Sequence, residues 1–305
     1  NWRMLQITGD AKYADIVELA LYNSVLSGMD LEGEKFLYNN PLNVSNDLPF
    51  HQRWGNVREG YIALSNCCAP NVTRTIAEVG NYAYNLSKEG LYVNLYGSNN
   101  LNTKTLSGEA LEIEQQTNYP WDGKITLKIV KVPKDLQAFF LRIPGWSQNA
   151  EVSVNNLKIT DQIVSGTYLK LNQKWKKGDV IELNIPMPVE LMEANPLVEE
   201  VKNQVAVKRG PIVYCLESDQ LPAKISVNDV ALKLNSKFTT NNFTLNNRNL
   251  VSIEAEAVIN PNNSWNKALY KPLSSKDAIS VPVKLVPYFA WGNKGQGEMT
   301  VWLSR

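Results

Sequence analysis

The sequence contains very little histidine and cysteine, and this scarcity excludes several kinds of active site. Its 305 residues include one histidine, His51, so no histidine pair and no histidine-rich metal site can form within this chain. Three cysteines occur, and such a small odd number argues against a disulfide framework. Two of them, Cys67 and Cys68, are adjacent in the chain. Adjacent Cα atoms lie about 3.8 Å apart, whereas disulfides usually span about 4.4–6.8 Å, so we expect a bridge between them to be strained.

Strong net charge and long apolar runs are also missing. No run of about 18 apolar residues occurs, so the sequence predicts no membrane-spanning helix. The 31 basic and 30 acidic residues give a net charge of +1, which offers no reason to expect nucleic acid or an acidic membrane as a partner. No secretory signal is visible. Residues 1–6 resemble the interior of a helix, so we expect the chain to be part of a longer protein.

The first 86 residues or so show the periodicity of helices. Apolar side chains in residues 13–26 recur about every 3.6 positions, after Asp10 as a suitable N-cap and before Gly28 as a suitable end. A long connection, residues 31–66, leads to Pro70, which suits the first turn of another helix. Two or three helices with such a connection cannot enclose a core of their own. We therefore expect an exposed apolar face here and helical partners outside this chain.

After residue 87 the hydrophobic period changes from 3.6 to 2, which is typical of strands. Strands are predicted at residues 91–95, 124–129, 138–143, 151–154, 168–171, 180–185, 205–207, 212–216, 250–254, 279–286 and 297–303. Short strands at this spacing, separated by turn signals, favour antiparallel sandwiches. The prediction is a mixed, mostly β chain: helical residues 1–86, a first β-sandwich of 87–188 plus 296–305, and a second of 189–295.

Residues 65–74, Ser-Asn-Cys-Cys-Ala-Pro-Asn-Val-Thr-Arg, place two thiols at the start of a predicted helix. The free N–H groups and partial positive charge of a helix N-terminus favour thiolate over thiol. The pKa of Cys67 and Cys68 should therefore fall, and thiolate is the form that attacks carbon and binds zinc. The same pattern also fits two small apolar residues packed at a helix start, which is the commoner arrangement.

Short motifs occur along the whole chain, and apart from the double cysteine they have the residue types of structural positions. They are Asn1-Trp2-Arg3-Met4-Leu5, Thr8-Gly9-Asp10-Ala11-Lys12-Tyr13-Ala14-Asp15, Cys67-Cys68-Ala69-Pro70-Asn71, Tyr119-Pro120-Trp121-Asp122-Gly123, Leu141-Arg142-Ile143-Pro144-Gly145-Trp146, Lys208-Arg209-Gly210-Pro211, Pro287-Tyr288-Phe289-Ala290-Trp291 and Gly297-Glu298-Met299. In these motifs and their order, the sequence resembles glycoside hydrolase family 127, the β-L-arabinofuranosidase family, over nearly its whole length. One departure is Ala69, which separates Cys68 from Pro70, whereas many relatives have proline directly after the cysteines.

The resemblance implies a catalytic (α/α)6 barrel, with residues 1–86 as its C-terminal part, followed by two β-sandwiches, the second inserted in the first. It also implies a zinc ion held by one Glu and three Cys. Cys67 matches the cysteine that is both ligand and nucleophile, and Cys68 matches another ligand. Tyr38 falls near a sugar-contacting tyrosine, although a core tyrosine fits equally well. The other two ligands and the acid/base Glu lie upstream in the family, so we expect this fragment alone to be inactive and to need the N-terminal barrel part.

The activity implied is retaining exo-hydrolysis of a terminal furanose-type sugar such as β-L-arabinofuranose, with a carbohydrate as substrate. Three alternatives stay open: a non-catalytic β-sandwich module that binds glycan or braces the barrel, a protein that keeps zinc and thiols for structure, and the same fold acting on another plant-polysaccharide sugar. A homodimer is one arrangement left open. The family favours a periplasmic or extracellular compartment, with a cytoplasmic one as the alternative.

Overall fold

The structure is a computed structural model that describes residues 1–45, 58–60, 67–134, 136–222, 225–259, 269–270, 272 and 278–305. The chain divides into two compact units. Unit 1 comprises Asn1–Tyr22 and Thr73–Pro188, and unit 2 comprises Asn23–Val72 and Val189–Arg305. Among the described residues, helices longer than one turn lie only before residue 87, and strands dominate after it. The predicted fold class, mostly β with a few N-terminal helices, is therefore confirmed.

Three α-helices lie in the described part of the chain: α1 (Trp2–Thr8), α2 (Ala11–Leu19) and α3 (Cys68–Ala77). Helix α1 ends at Gly9, which adopts φ 67°. Asp10 caps α2, because its Oδ1 accepts a hydrogen bond of 3.1 Å from the backbone N–H of Lys12. A π-helical turn, Ala20–Val25, continues α2. The predicted cap at Asp10 is confirmed, and so is the predicted helix start around Pro70.

Twenty strands lie within the described residues. In chain order they are β1 Asn43–Val44, β2 Tyr84–Leu86, β3 Gly90–Val93, β4 Asn99–Lys104, β5 Ala110–Thr117, β6 Lys124–Lys131, β7 Ala138–Ile143, β8 Glu151–Val154, β9 Leu157–Lys158, β10 Thr167–Asn172, β11 Val180–Asn184, β12 Val189–Met192, β13 Gln204–Arg209, β14 Ile212–Glu217, β15 Val230–Leu232, β16 Thr239–Leu245, β17 Arg248–Ile259, β18 Ile279–Pro287, β19 Met299–Thr300 and β20 Trp302–Ser304. Short 3-10 turns occupy Val79–Tyr82, Glu199–Val201, Ser218–Gln220, Val227–Asp229 and Tyr288–Ala290.

Unit 1 is a β-sandwich. One layer has the strand order β10-β7-β3-β2 and the other has β4-β5-β6-β11-β8-β9. Pairing within the layers is antiparallel except between β3 and β7. Side chains from both layers, including Leu91, Leu127 and Ile181, join one buried core. In β6, Ile125, Leu127 and Ile129 are buried while their neighbours are more exposed, because alternate side chains of a strand point to opposite faces.

A buried ion cluster ties helix α2 to strand β7 in unit 1. Asp15 and Glu18, three residues apart on α2, both pair with Arg142, which has no exposed surface. The distance from Arg142 Nη1 to Asp15 Oδ1 is 2.5 Å. The Nε–H of Arg142 donates to the carbonyl of Asn94, and the hydroxyl of Tyr119 donates to Glu18 at 2.6 Å. Burial by itself lowers the pKa of Arg142, but the carboxylates of Glu18 and Asp15 raise it above its ordinary value, so the guanidinium stays charged.

Gly123, which precedes β6, lies against the backbone of Ile185. A Cβ atom on Gly123 would be 1.8 Å from the carbonyl oxygen of Ile185, and its φ is not in the left-handed region, so close approach is the reason for glycine. We expect Gly123→Ala to lower the free energy of unfolding by about 1–3 kcal/mol or more, measured by urea unfolding. The matched control is Gly97→Ala, because no atom lies within 4 Å of a Cβ there. Equal stability of the two variants contradicts this account.

Unit 2 contains a ten-stranded sheet in the order β1-β19-β14-β18-β17-β15-β20-β13-β12, with β16 joined to β17. Strand β13 also pairs directly with β14. The pairings from β14 through β18, β17, β15 and β20 to β13 therefore close into a ring, and the sheet folds over on itself. Buried side chains that include Val207, Tyr214, Ile253, Leu285 and Leu303 line these strands.

The last strands belong to unit 2, which corrects the expectation that residues 296–305 return to the first sandwich. Strand β20 pairs antiparallel with β13, with Leu303 opposite Val205, and β19 pairs with β14. The alternation of Met299, Val301 and Leu303 indicates that one face is buried, but it cannot name the strand alongside. The chain also forms two short strands, β19 and β20, where the sequence predicts one.

The N-terminal segment, predicted as one domain of residues 1–86, is divided between the two units. The reason is visible in the contacts: Asp15 and Glu18 tie α2 into unit 1, whereas Asn23 hydrogen-bonds to Pro211 and Val213 in unit 2.

The helices leave apolar side chains uncovered, as the sequence predicts for this chain by itself. Exposed side chains on α1 and α2 are Met4, Ile7, Ile16 and Leu19, and Ile7 is 77% exposed. Helix α3 has no fully buried residue: Val72 and Ile76 are half-buried, and Val79, just after the helix, is exposed. Among the described helices, none has the length and hydropathy needed to cross a membrane.

Candidate functional site

The two adjacent thiols lie at the start of α3. Cys67 immediately precedes the helix and Cys68 is its first residue. Their Sγ atoms are 3.2 Å apart, Cys67 is exposed, Cys68 is half-buried, and neither is in a disulfide. The backbone N–H and the side-chain amide of Asn71 both donate to the carbonyl of Cys67, at 3.1 and 2.7 Å. The predicted placement of both thiols at a helix N-terminus is therefore confirmed, whereas their chemical roles stay predictions.

The donor set of this pair fits half of a zinc site. Zinc–sulfur bonds of about 2.3 Å in tetrahedral geometry place two sulfurs about 3.8 Å apart. The distance of 3.2 Å between the Sγ atoms of Cys67 and Cys68 is close to this spacing, so a small side-chain rotation would bring both to a shared metal. Among the described residues, no group of three or more His, Cys, Asp or Glu side chains could hold a metal ion. Further ligands would have to come from outside that part of the chain.

The helical segment ends at Gly28, which contacts both α3, the helix of the cysteines, and the segment that contains Tyr38. A Cβ atom on Gly28 would lie 2.9 Å from Cγ2 of Val72, which is one helical turn after Cys68. The carbonyl of Gly28 accepts a 2.8 Å hydrogen bond from the N–H of Leu37, the residue before Tyr38. Tyr38 is half-buried. The structure thus attaches the Tyr38 segment and the cysteine helix to the same residue.

Asn23 is an anchor that sequence reasoning missed. It is buried in the π-helical turn, where its Nδ2–H donates to the carbonyl of Pro211 at 2.8 Å and its Oδ1 accepts from the N–H of Val213 at 2.8 Å. Pro211 ends the Lys208–Pro211 motif, whose last two residues form the turn between β13 and β14. A polar side chain within an apolar helical pattern was the available signal, because a buried amide needs hydrogen-bond partners.

Arg58, also missed in the sequence, braces the same helix end. Its guanidinium is buried and donates to the carbonyls of Ser27, at 3.0 Å, and Trp291. Burial lowers the pKa of Arg58, and the charges of Asp30 and Glu217 oppose this shift. A cavity of about 810 Å³ adjoins this region and is lined by residues that include Asp30, Arg58 and Trp291. Asp30 Oδ1 accepts from the backbone N–H groups of Glu34 and Lys35, and Arg58 donates to backbone carbonyls, which is a bracing arrangement.

Three other side chains that could carry chemistry, Cys215, Glu34 and Glu59, occupy positions typical of core or solvated residues. Cys215 has no exposed surface, and burial raises the pKa of its thiol well above the ordinary value, so this cysteine is a core residue. Glu34 and Glu59 are exposed carboxylates. His51 lies outside the described residues.

Three family models together match almost the whole chain. The GH127 β-L-arabinofuranosidase catalytic-domain model matches residues 1–81, the GH127 middle-domain model matches residues 90–187, and the glycoside hydrolase family 127 C-terminal-domain model matches residues 189–304. The chain belongs to glycoside hydrolase family 127. The catalytic-domain match includes Tyr38, Cys67 and Cys68, the three residues that the sequence predicts for the site.

Individual relatives agree with the family assignment. The chain is 30% identical over 318 residues to a non-reducing end β-L-arabinofuranosidase of Bifidobacterium longum subsp. longum, covering 99% of this chain and 47% of that protein. A solved glycoside hydrolase is 46% identical with a TM-score of 0.94, covering 100% of this chain and 50% of its own. A GH127 β-L-arabinofuranosidase from Geobacillus stearothermophilus T6 is 37% identical with a TM-score of 0.89, covering 99% and 47%. The chain therefore spans about half the length of these relatives.

Proposed function

We propose that the protein to which this chain belongs is a retaining exo-glycoside hydrolase that removes a terminal furanose-type sugar such as β-L-arabinofuranose, with Cys67 as its nucleophile. The observation that carries the proposal is the pair of thiols at the start of α3, inside the stretch that matches the catalytic-domain model. The names of the relatives support the choice of sugar. Because the chain spans about half of those relatives, the proposal concerns the complete protein.

Cys67 and Cys68 are proposed to hold zinc together with ligands from outside the described residues. When bound, the metal would keep the sulfur of Cys67 deprotonated at neutral pH. The chain contributes to the same end, because the first N–H groups of α3 and its partial positive charge also favour the thiolate. The exposed position of Cys67 supports a role in which the sulfur must reach a sugar, and burial of Cys215 argues against such a role for that residue.

The proposed reaction consists of two displacements at the anomeric carbon. The Cys67 sulfur forms a bond to that carbon as the bond to the leaving oxygen breaks, and a carboxylic acid from the rest of the protein protonates this oxygen. The carboxylate then takes a proton from water, whose oxygen attacks the same carbon while the bond to sulfur breaks and its electron pair returns to sulfur. Two inversions give net retention, as in glycosidases with a carboxylate nucleophile. Tyr38 is proposed to contact the sugar.

The rest of the helical barrel is proposed to cover the apolar side chains that α1 and α2 leave exposed. Four exposed apolar side chains on two neighbouring helices, Met4, Ile7, Ile16 and Leu19, support this. The isolated chain is expected to be inactive, since it would lack the acid/base carboxyl group and some of the metal ligands.

The proposal is tested by covalent labelling of the complete protein with a cysteine-directed arabinofuranose analogue. We expect one label, on Cys67, that excess β-L-arabinofuranoside substrate suppresses, with the site identified by peptide mass spectrometry. The matched control is Cys215→Ala, which should label like the wild type because Cys215 has no exposed surface. A label on Cys68, or zinc bound without any label, overturns the nucleophile assignment, and the latter result favours a structural role for the thiols.

A further inference from the structure

We propose that Asn23 and Gly28 are positioning residues for the cysteine pair: they fix the helix end against which α3 packs, and so set where the sulfur of Cys67 lies. The inference rests on the proposed function of Cys67. It assigns a role in catalysis to two residues that would not touch the substrate.

Asn23 anchors the end of the helical segment. Both polar atoms of its buried amide are satisfied by the backbone at the start of β14, one by the carbonyl of Pro211 and one by the N–H of Val213, each at 2.8 Å. Two opposed bonds to a sheet backbone fix both the position and the rotation of a side chain. The π-helical turn that carries Asn23 is therefore held to the β13–β14 turn, which belongs to a closed ring of strands.

Helix α3 approaches Gly28 closely. The φ of Gly28 is not in the left-handed region, so its backbone conformation does not require glycine. The missing side chain instead makes room, because a Cβ atom would be 2.9 Å from Val72 Cγ2. Val72 is four residues after Cys68, and residues at this spacing lie on the same face of a helix. A shift of α3 away from Gly28 would therefore move the cysteines with it.

The same helix end also holds the segment that contains Tyr38. The carbonyl of Gly28 accepts from Leu37, and the hydroxyl of Ser27 lies 2.8 Å from Oδ1 of Asn40, whose Nδ2 donates to the carbonyl of Ser24 at 3.0 Å. The bonds on both sides of Tyr38 thus lead back to residues 24–28. Displacing α3 alone would change the position of Cys67 relative to the Tyr38 segment. Such a change should affect the rate of reaction more than the binding of sugar.

The experiment uses a double-mutant cycle in the complete protein: Gly28→Ala, Val72→Ala and both together. The control is Gly80→Ala, because no atom lies within 4 Å of a Cβ there and its φ is not in the left-handed region. The measurements are kcat and KM on a β-L-arabinofuranoside, and the rate at which iodoacetamide alkylates Cys67 after removal of metal. We expect Gly28→Ala to lower kcat about tenfold to a hundredfold, since displacements of about 1 Å cost that much, with KM nearly unchanged and an altered alkylation rate.

The outcomes of the cycle separate a positioning role from a merely structural one. Recovery of kcat and of the alkylation rate in the double variant, together with a smaller loss for Val72→Ala alone, supports the inference. If Gly28→Ala lowers only the melting temperature while kcat and alkylation match Gly80→Ala, the role is merely structural and the inference is overturned. If Gly28→Ala does not fold, unchanged kcat and alkylation in Val72→Ala overturn it equally. If the wild type has no turnover but the alkylation rates of the variants still differ as expected, the positioning role holds and the proposed function is wrong.

Discussion

Cys67→Ser is expected to abolish turnover of the complete protein while leaving its fold nearly intact. A serine hydroxyl has a far higher pKa than a thiol, so it is hardly ionised and is a poorer ligand for zinc and a poorer nucleophile. We expect kcat to fall by about 10⁴-fold or more, the scale found when a nucleophile is removed from other enzymes. Because the side chain of Cys67 is exposed, the melting temperature should change little. Steady-state kinetics and thermal unfolding of the two proteins check this result.

Cys68→Ser should differ from Cys67→Ser in a way that separates the two roles. It should weaken zinc binding first and lower turnover through loss of metal and a misplaced Cys67, so added zinc should restore part of the activity. Added zinc should not rescue Cys67→Ser. The control is Cys215→Ala, which changes a buried cysteine and should keep wild-type turnover. Normal turnover by Cys67→Ser would end the thiolate hypothesis.

Arg142→Met is expected to destabilise unit 1 by about 3–5 kcal/mol, the scale of losing one partner of a buried ion pair. The substitution leaves the Glu18 carboxylate, with 1% of its side chain exposed, without the cation that compensates its burial. Asp15 loses the same partner, although it still accepts from the N–H of Gly145 at 3.0 Å. Trp146 donates to Glu18 at 3.1 Å, so tryptophan fluorescence during urea unfolding reports on this cluster.

The control for Arg142 is Lys158→Met, which removes an ion pair of similar length with Glu151 but at the surface, where both side chains are more than half exposed. Exposed pairs contribute little to stability, so this variant should unfold almost like the wild type. Arg142→Lys keeps the charge but loses the planar fork that reaches two carboxylates, and an intermediate loss is expected. If Arg142→Met is as stable as Lys158→Met, the cluster does not hold α2 to the sandwich.

Features that depend on neighbours in the chain could be predicted well. The prediction for residues 138–143 and 151–154 has the same bounds as β7 and β8, because alternating or continuous apolar runs between turn signals define such strands. The cap at Asp10 and the thiols at the start of α3 were also predictable, since capping is a local interaction.

Several strands escaped prediction, and two of them, β4 and β16, have side chains that carry no strong pattern. Strand β4, Asn99–Lys104, and strand β16, Thr239–Leu245, are rich in Asn and Thr, and most of their residues are at least half-exposed. Hydrogen bonds to β5 and β17 define them as strands, and such pairing depends on the partner backbone. The same limit explains the site residues that were missed, since the partners of Asn23 lie 188 and 190 positions away.

The sequence by itself determined that a few helices precede a mostly β remainder, the family, and the position of two thiols at a helix start, because period, caps and motifs are properties of neighbouring residues. Only the tertiary structure decided that β20 pairs with β13, that Arg142 gathers two carboxylates 124 and 127 positions away, and that Gly28 meets Val72. A buried face can be filled by many partners of suitable shape. Which partner fills it depends on the packing of the whole chain, and the local pattern carries no record of that choice.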